Sequence, residues 1–145
     1  MNNLRLLIVV LVALVTSLSL SRARAEVPRL QIQPNVGSVQ LILNGISGGV
    51  ISTNCGNIAQ KPNQILQLTE PLPYLRVTVD SPGQPTILID GPGGRFCVIP
   101  DNYSETKPEI TGYWQAGEYS IYVGELSQNQ YKYTLSISQD KKSKK

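Results

Sequence analysis

Apolar residues recur at every second position along most of this chain. In the segment YLRVTVD (74–80), Leu75, Val77 and Val79 share one face of an extended chain, and polar residues alternate with them. Because successive side chains of a β-strand point to opposite faces, this spacing predicts a strand that buries one face. The same spacing recurs in the segments 29–34, 38–43, 64–69, 86–90, 118–124 and 130–138. No stretch shows the period of an amphipathic helix, so the pattern predicts an all-β fold.

Turn-forming residues separate these segments, in the motifs NGISGG (44–49), KPN (61–63), SPGQP (81–85) and GPGG (91–94). Glycine and proline at such positions are typical of tight turns. About eight short strands joined in this way predict one antiparallel β-sandwich of jelly-roll-like form. We expect this domain to span residues 26–138.

The first 25 residues predict a secretory signal peptide. Arg5 precedes a largely apolar run of 15 residues, and Ala23-Arg24-Ala25 has the form of a cleavage site. The alternative is a retained membrane anchor, but a helix of this length spans only about 22 Å of a hydrocarbon core about 30 Å thick. We therefore expect cleavage before Glu26, no stable membrane span afterwards, and a mature protein in the periplasm or outside the cell.

Charge restricts the partners of the mature chain. After cleavage, ten basic residues face ten acidic ones, and four of the basic residues belong to the terminal KKSKK. We expect residues 139–145 to form a disordered basic tail. The body up to Asp140 then has six basic and ten acidic residues. Such a body offers no positive surface to a phosphate backbone, so nucleic acid is not an expected partner.

Cys55 and Cys97 are the two cysteines of the chain. In an exported chain, an even pair favours a disulfide over a reactive thiol. A zinc site would need more thiolate or histidine ligands, and the chain has no histidine. We expect Cys55 to lie across the sandwich from Cys97, so that the bond joins the two sheets. The lack of histidine also excludes Ser-His-Asp and Cys-His catalysis.

The order of motifs from Ser47 onward resembles a known family. SGG and NCG are followed by YLRVTV, TILIDGPGGRFC, ITGYWQAGEYSIYVG and YTLSIS. This succession is similar to the bacterial pre-peptidase C-terminal-like domains, and to single-domain uncharacterised relatives in which a signal peptide precedes this module alone. The resemblance implies a jelly-roll-like sandwich outside the cytoplasm that has no catalytic role and binds or positions other molecules.

Relatives in that family often carry acids suited to calcium just after the second cysteine. Here the stretch VIPDNYSE offers Asp101, Asn102 and Glu105. Their oxygen atoms, with a carbonyl group and water, would suit calcium, and Asp80 or Asp90 would join them if the strand ends converge. The spacing is not that of an EF-hand loop, and an ordinary Asx-turn is the alternative. No other cofactor is predicted.

Aromatic residues provide a second candidate site. Tyr113, Trp114 and Tyr122, with Tyr103 nearby, would form a surface that stacks on a sugar or a peptide. Tyr122 alternates with the apolar face of its strand, so we expect it to be exposed. The alternative for Trp114 is that it plugs the edge of the sandwich.

These features predict a monomeric, exported, non-catalytic module that binds an envelope protein or a glycan. One alternative is a structural envelope protein with no specific ligand. Another is a carboxylate-based hydrolase. The acids, however, are scattered at strand ends and edges, Glu125 among them, where we expect them to be solvated.

Overall fold

The computed structural model describes residues 25–34, 40–101 and 107–141. Almost all of the predicted signal peptide, the end of the predicted tail, and the candidate residues Asn102, Tyr103 and Glu105 lie outside these ranges. The described residues form eleven strands and contain no helix that could cross a membrane. The strands are Arg29–Ile32 (β1), Leu41–Ile46 (β2), Ile51–Thr53 (β3), Gly56–Ile58 (β4), Gln64–Leu68 (β5), Leu72–Asp80 (β6), Pro85–Gly91 (β7), Gly94–Val98 (β8), Glu109–Trp114 (β9), Gly117–Glu125 (β10) and Lys132–Ser138 (β11).

The strands form two sheets. The four-stranded sheet is antiparallel, in the order β2-β11-β6-β9. In the seven-stranded sheet, β10 pairs on one side with β7, which carries the edge strand β8, and on the other side with β5 and β4. β1 joins β5 in parallel, and β3 joins β4. The predicted all-β sandwich is confirmed. No segment predicted from the spacing covers strands β3, β4, β8 and β9, because they are short or interrupted by glycine and their alternation is too brief to detect.

The core lies between the sheets and is built from alternate residues of the long strands. Leu75, Val77 and Val79 of β6 are completely buried, as their spacing predicts. Each such side chain contributes about 1.5–3 kcal/mol when it leaves water, so a slip of one residue would expose a whole face and is strongly disfavoured. The other core side chains that are at most 1% exposed are Leu66, Leu68, Leu72, Ile87, Ile89, Ile121, Val123, Leu135 and Ile137.

Strand β7 departs from the alternation, because every residue from Pro85 to Ile89 is buried. Its inner face contacts the core, and Leu88 on its outer face belongs to a second, small cluster. We call this the outer cluster; it consists of Cys55, Ile58 and Leu88, with Tyr122 packed against them. The turn of the β3–β4 hairpin therefore covers part of the outer face of its own sheet, and the Thr86 hydroxyl donates a 2.6 Å hydrogen bond to the Cys55 carbonyl.

Cys55 and Cys97 form the predicted disulfide. The expectation that this bond joins the two sheets is wrong. Cys97 lies on β8 directly opposite Leu88, and Cys55 packs in the outer cluster with the same Leu88. Both cysteines therefore belong to the outer layer of the seven-stranded sheet. The reason is that the β3–β4 hairpin folds over this sheet rather than across the sandwich.

Candidate functional site

A groove opens along one side of the sandwich, between strands β8 and β9. Within the described ranges, β8 pairs with β7 alone and β9 with β6 alone, so both are edge strands. The groove has a volume of about 390 Å³. Its walls and floor are uncharged residues of β7, β8, β9 and β10 and the adjoining turns, and four of them are aromatic. Apolar grooves with a few polar groups are typical of binding sites.

Trp114 and Tyr119 form the floor of the groove. Their ring centroids lie 4.8 Å apart with a tilt of 57°, a geometry that aromatic pairs favour. Both side chains are nearly buried. The Tyr119 hydroxyl donates a 2.9 Å hydrogen bond to the Gln115 carbonyl, and burial raises the pKa of Tyr119. The hydroxyl therefore stays protonated at neutral pH and holds the floor in place.

Two glycines allow the chain to pack closely around the Tyr119 ring. A Cβ atom at Gly91 would collide with this ring, and one at Gly117 would collide with the ring of Pro92. Gly117 also has a φ of 139°, which side-chain-bearing residues rarely adopt. The glycine-rich turn after β7 therefore packs closely against the start of β10. This close approach brings Tyr119 against Trp114.

Phe96 and Tyr113 form the rim of the groove. Phe96 lies directly opposite Ile89, a core residue, and opposite residues on paired strands share a face. Phe96 therefore points to the groove side of β8, where it is 47% exposed, while Tyr113 is 64% exposed. Two large aromatic side chains thus remain in water beside an existing groove. Such surfaces mark interaction sites in soluble proteins.

Gly112 leaves an open space in the wall formed by β9. It lies opposite Leu75, which points into the core, so a side chain at position 112 would point inward as well. A Cβ atom built on Gly112 would meet no atom of the described residues within 4 Å, apart from its two neighbours in the chain. The described residues therefore leave the inner layer unfilled at this point, and a side chain from a ligand has room to enter.

Two ion pairs lie beside the groove, on the outer faces of the strands, and none of their residues lines it. Arg95 of β8 pairs with Asp90 of β7 at 2.6 Å. Arg76 of β6, whose side chain is only 15% exposed, lies 3.8 Å from the exposed Glu109 of β9. The first pair is exposed to solvent and the second is long, so each contributes little to stability. Because each pair is neutral, the groove has no charge of one sign with which to attract an ion.

The structure brings together only part of the predicted aromatic set. Tyr113 and Trp114 both line the groove. Trp114 is also buried, which agrees with the alternative that it fills the edge of the sandwich. Tyr122 lies elsewhere, half-buried against the outer cluster. Sequence reasoning missed Phe96, because a single apolar residue in the short strand GRFCV carries no periodic signal. Its one distinguishing mark is its place beside Cys97.

The predicted calcium ligand Asp101 lies outside the groove. It shares a hollow of about 370 Å³ with Asp80 and Lys107. The Lys107 ammonium group pairs with Asp80 and would repel a cation there. Asp90 lies at the other end of β7, so it does not converge on this hollow. The described residues contain no group of three or more metal-binding side chains. Calcium binding stays a prediction, since part of the candidate set lies outside them.

Glu125, expected to be a solvated residue at a strand edge, is completely buried. Its carboxylate accepts hydrogen bonds from the backbone N–H of Gln84 at 3.0 Å, from that of Ser127 at 3.2 Å, and from the Ser127 hydroxyl at 3.0 Å. These donors are neutral backbone and side-chain groups of the turns at the end of β10. The carboxylate therefore joins two turns, which is a structural role.

Comparisons with known proteins support the fold. No model of a known protein family matches the chain. An uncharacterised protein of Synechococcus elongatus is 36% identical over 132 residues, which cover 88% of this chain and 93% of that protein. The pre-peptidase C-terminal domain of a collagenase from Bacillus anthracis matches with a TM-score of 0.51 at 12% identity, over 76% of this chain and 94% of that domain. The fold implied by the order of motifs is thereby confirmed. Aeromonas hydrophila PliG, a periplasmic inhibitor of g-type lysozyme, matches with a TM-score of 0.45 at 15% identity, over 77% of this chain and 95% of PliG.

Proposed function

We propose that this protein is an exported, non-catalytic binding module. The chain belongs to the same family as the uncharacterised Synechococcus elongatus protein. Its ligand, an envelope protein or a glycan, occupies the groove between β8 and β9. The observation that carries this proposal is the exposed rim of Phe96 and Tyr113 above a buried aromatic floor. A ligand that covers the rim removes apolar surface from water, at about 25 cal/mol for each Å².

The chemistry of the groove supports binding rather than catalysis. Its described lining contains no carboxylate, amine or thiol that would act as a general acid, a general base or a nucleophile. The nearest acids are engaged elsewhere, because Asp90 and Glu109 lie in ion pairs. Glu125 lies at the opposite end of β10 and is buried and hydrogen-bonded. The proposal therefore assigns recognition, and not a reaction, to this surface.

The disulfide supports export. Such bonds persist in oxidising compartments and are rare in the cytosol. The bond between Cys55 and Cys97 agrees in this respect with the signal peptide predicted for residues 1–25. We therefore propose that the mature module, residues 26–138 and the basic tail, functions in the periplasm or outside the cell. We propose further that it is a monomer.

Alanine variants of the rim test the proposal. Phe96→Ala and Tyr113→Ala remove exposed rings and are expected to leave folding intact, while Ile42→Ala, half-exposed on the opposite edge strand β2, serves as the control. Each purified protein is immobilised and exposed to an envelope extract, and the retained material is quantified. A specific ligand should be lost from both rim variants by about tenfold or more and kept by the control. Equal retention by all four proteins would show that the groove is not the binding site.

A further inference from the structure

We infer that the ligand is an extended, uncharged peptide segment that adds to the seven-stranded sheet as a new strand beside β8. This assignment rests on the proposed function, and it names the class of ligand for the same groove. It is drawn from the described residues, which leave one edge of β8 unpaired, a space beside Gly112 unfilled and the groove lining uncharged.

Strand β8 is a regular edge that is open for pairing. Its register with β7 runs without a shift from Gly94 to Val98, and four of its five residues are exposed. In the described part of the chain, β8 is paired along one side. Alternate backbone N–H and C=O groups of such a strand point away from its neighbour. An extended peptide satisfies these groups by adding a strand.

The other wall of the groove is less suited to accept a strand. The register between β6 and β9 shifts between Leu72 and Leu75, next to the part of β9 that holds Gly112. Gly112 has a φ of 140°, which is not an extended conformation. Such irregularities blunt an edge against pairing. Strand β8, in contrast, is tied through Cys97 to the buried Cys55, so little ordering is needed when a ligand binds.

The groove has room for the side chains of an added strand. A strand beside β8 would place every second side chain on the face that Phe96 occupies. These side chains would enter the groove toward Gly112, where the residues that the structure describes leave the inner layer unfilled. They would cover the exposed ring of Phe96 and contact the rim residue Tyr113. The added strand would thus complete the layer that the two sheets leave open.

The lining favours an uncharged peptide over a glycan. A charged side chain would lose its hydration in the groove and find no opposite charge there, since Arg95 and Arg76 are already paired. A glycan presents many hydroxyl groups that need polar partners. Apart from its tyrosines and the indole N–H of Trp114, the described lining offers Thr111 and Gln115 as polar side chains, whereas its edge strand offers a row of backbone groups. Those backbone groups match the repeat of a peptide.

A library of random heptapeptides displayed on phage, panned on the immobilised mature protein, tests this inference beside an array of neutral oligosaccharides. Enriched peptides are expected to be uncharged, with apolar residues at every second position. Synthetic copies should change the fluorescence of Trp114, the one tryptophan of the chain, and slow amide exchange in β8. Their affinity should fall about tenfold or more in Phe96→Ala and stay unchanged in Ile42→Ala.

N-methylation of the peptide is the decisive control. Methylating alternate backbone nitrogens removes the N–H donors along one edge of the peptide and leaves the side chains of the peptide unchanged. Methylation of one edge should weaken binding about tenfold or more, and methylation of the other edge should have little effect. Equal binding of both methylated forms would overturn strand addition but leave the groove as a binding site. Phe96-dependent binding of oligosaccharides without any peptide would overturn the peptide assignment and keep the proposed function. Phe96-dependent binding of neither class would overturn both.

Discussion

Replacing Glu125 by glutamine is expected to destabilise the protein by about 2–3 kcal/mol, although the two side chains are nearly the same size. One carboxylate oxygen accepts hydrogen bonds from the backbone of Gln84 and from the backbone and hydroxyl of Ser127. The other oxygen lies 3.0 Å from the same N–H of Gln84. Glutamine would place an NH₂ group there, facing a donor. A hydrogen bond to a charged group contributes about 1.5–3 kcal/mol and a neutral one about 0.5–1.5 kcal/mol, so the weakened bonds account for the loss.

Glu125→Ala should cost more, about 4 kcal/mol, because it leaves the N–H groups of Gln84 and Ser127 without an acceptor at about 1–3 kcal/mol each and opens a cavity. Glu118→Gln is the matched control. It removes a carboxylate from the same strand, but Glu118 is exposed and lies 3.4 Å from Arg29 in a surface pair, which contributes at most about 1 kcal/mol.

Urea unfolding of the oxidised protein measures these differences from the midpoint, provided that the slope is unchanged. The expected order of stability is the native chain, then Glu118→Gln close to it, then Glu125→Gln, and finally Glu125→Ala. If Glu125→Gln unfolds at the same urea concentration as Glu118→Gln, the buried carboxylate does not hold the turns together and the reasoning fails.

Two further predictions concern the disulfide and the buried tyrosines. Cys97→Ser should cost about 4 kcal/mol, from the loop-closure entropy of two cysteines separated by 42 positions, and an unchanged urea midpoint under non-reducing conditions would contradict this. Burial raises the pKa of Tyr119 and of Tyr133. These two tyrosines therefore lose their protons at a lower pH in the unfolded chain than in the folded protein. This contribution to stability is complete below the usual tyrosine pKa, about 10, and is lost as the pH rises through the raised values. Urea unfolding at several pH values above about 9 should show the fall, with a smaller fall in Tyr133→Phe; an equal fall in both proteins would refute the assignment to Tyr133.

Local signals in the sequence predict half of the candidate site. Tyr113 and Trp114 stand in one motif, so their proximity needs no knowledge of the fold. Phe96 joins them because β8 and β9 are edges of different sheets on the same side of the sandwich, and no local pattern encodes that pairing order. For Tyr122 the local pattern misleads. The apolar alternation of its strand predicts that the side chain is exposed, but the outer cluster covers part of it.

The sequence by itself determined the class of structure, the inward face of each long strand and the pairing of the two cysteines. Period-two spacing, turn residues and an even cysteine count are properties of short segments or of composition, so they are visible without coordinates. The tertiary structure decided which edges stay open, on which side of a sheet the disulfide lies, and that Glu125 is buried. Each of these depends on contacts between segments far apart in the chain. The donors that hold Glu125 include the backbone of Gln84, which reaches it across 41 positions only after the strands have paired.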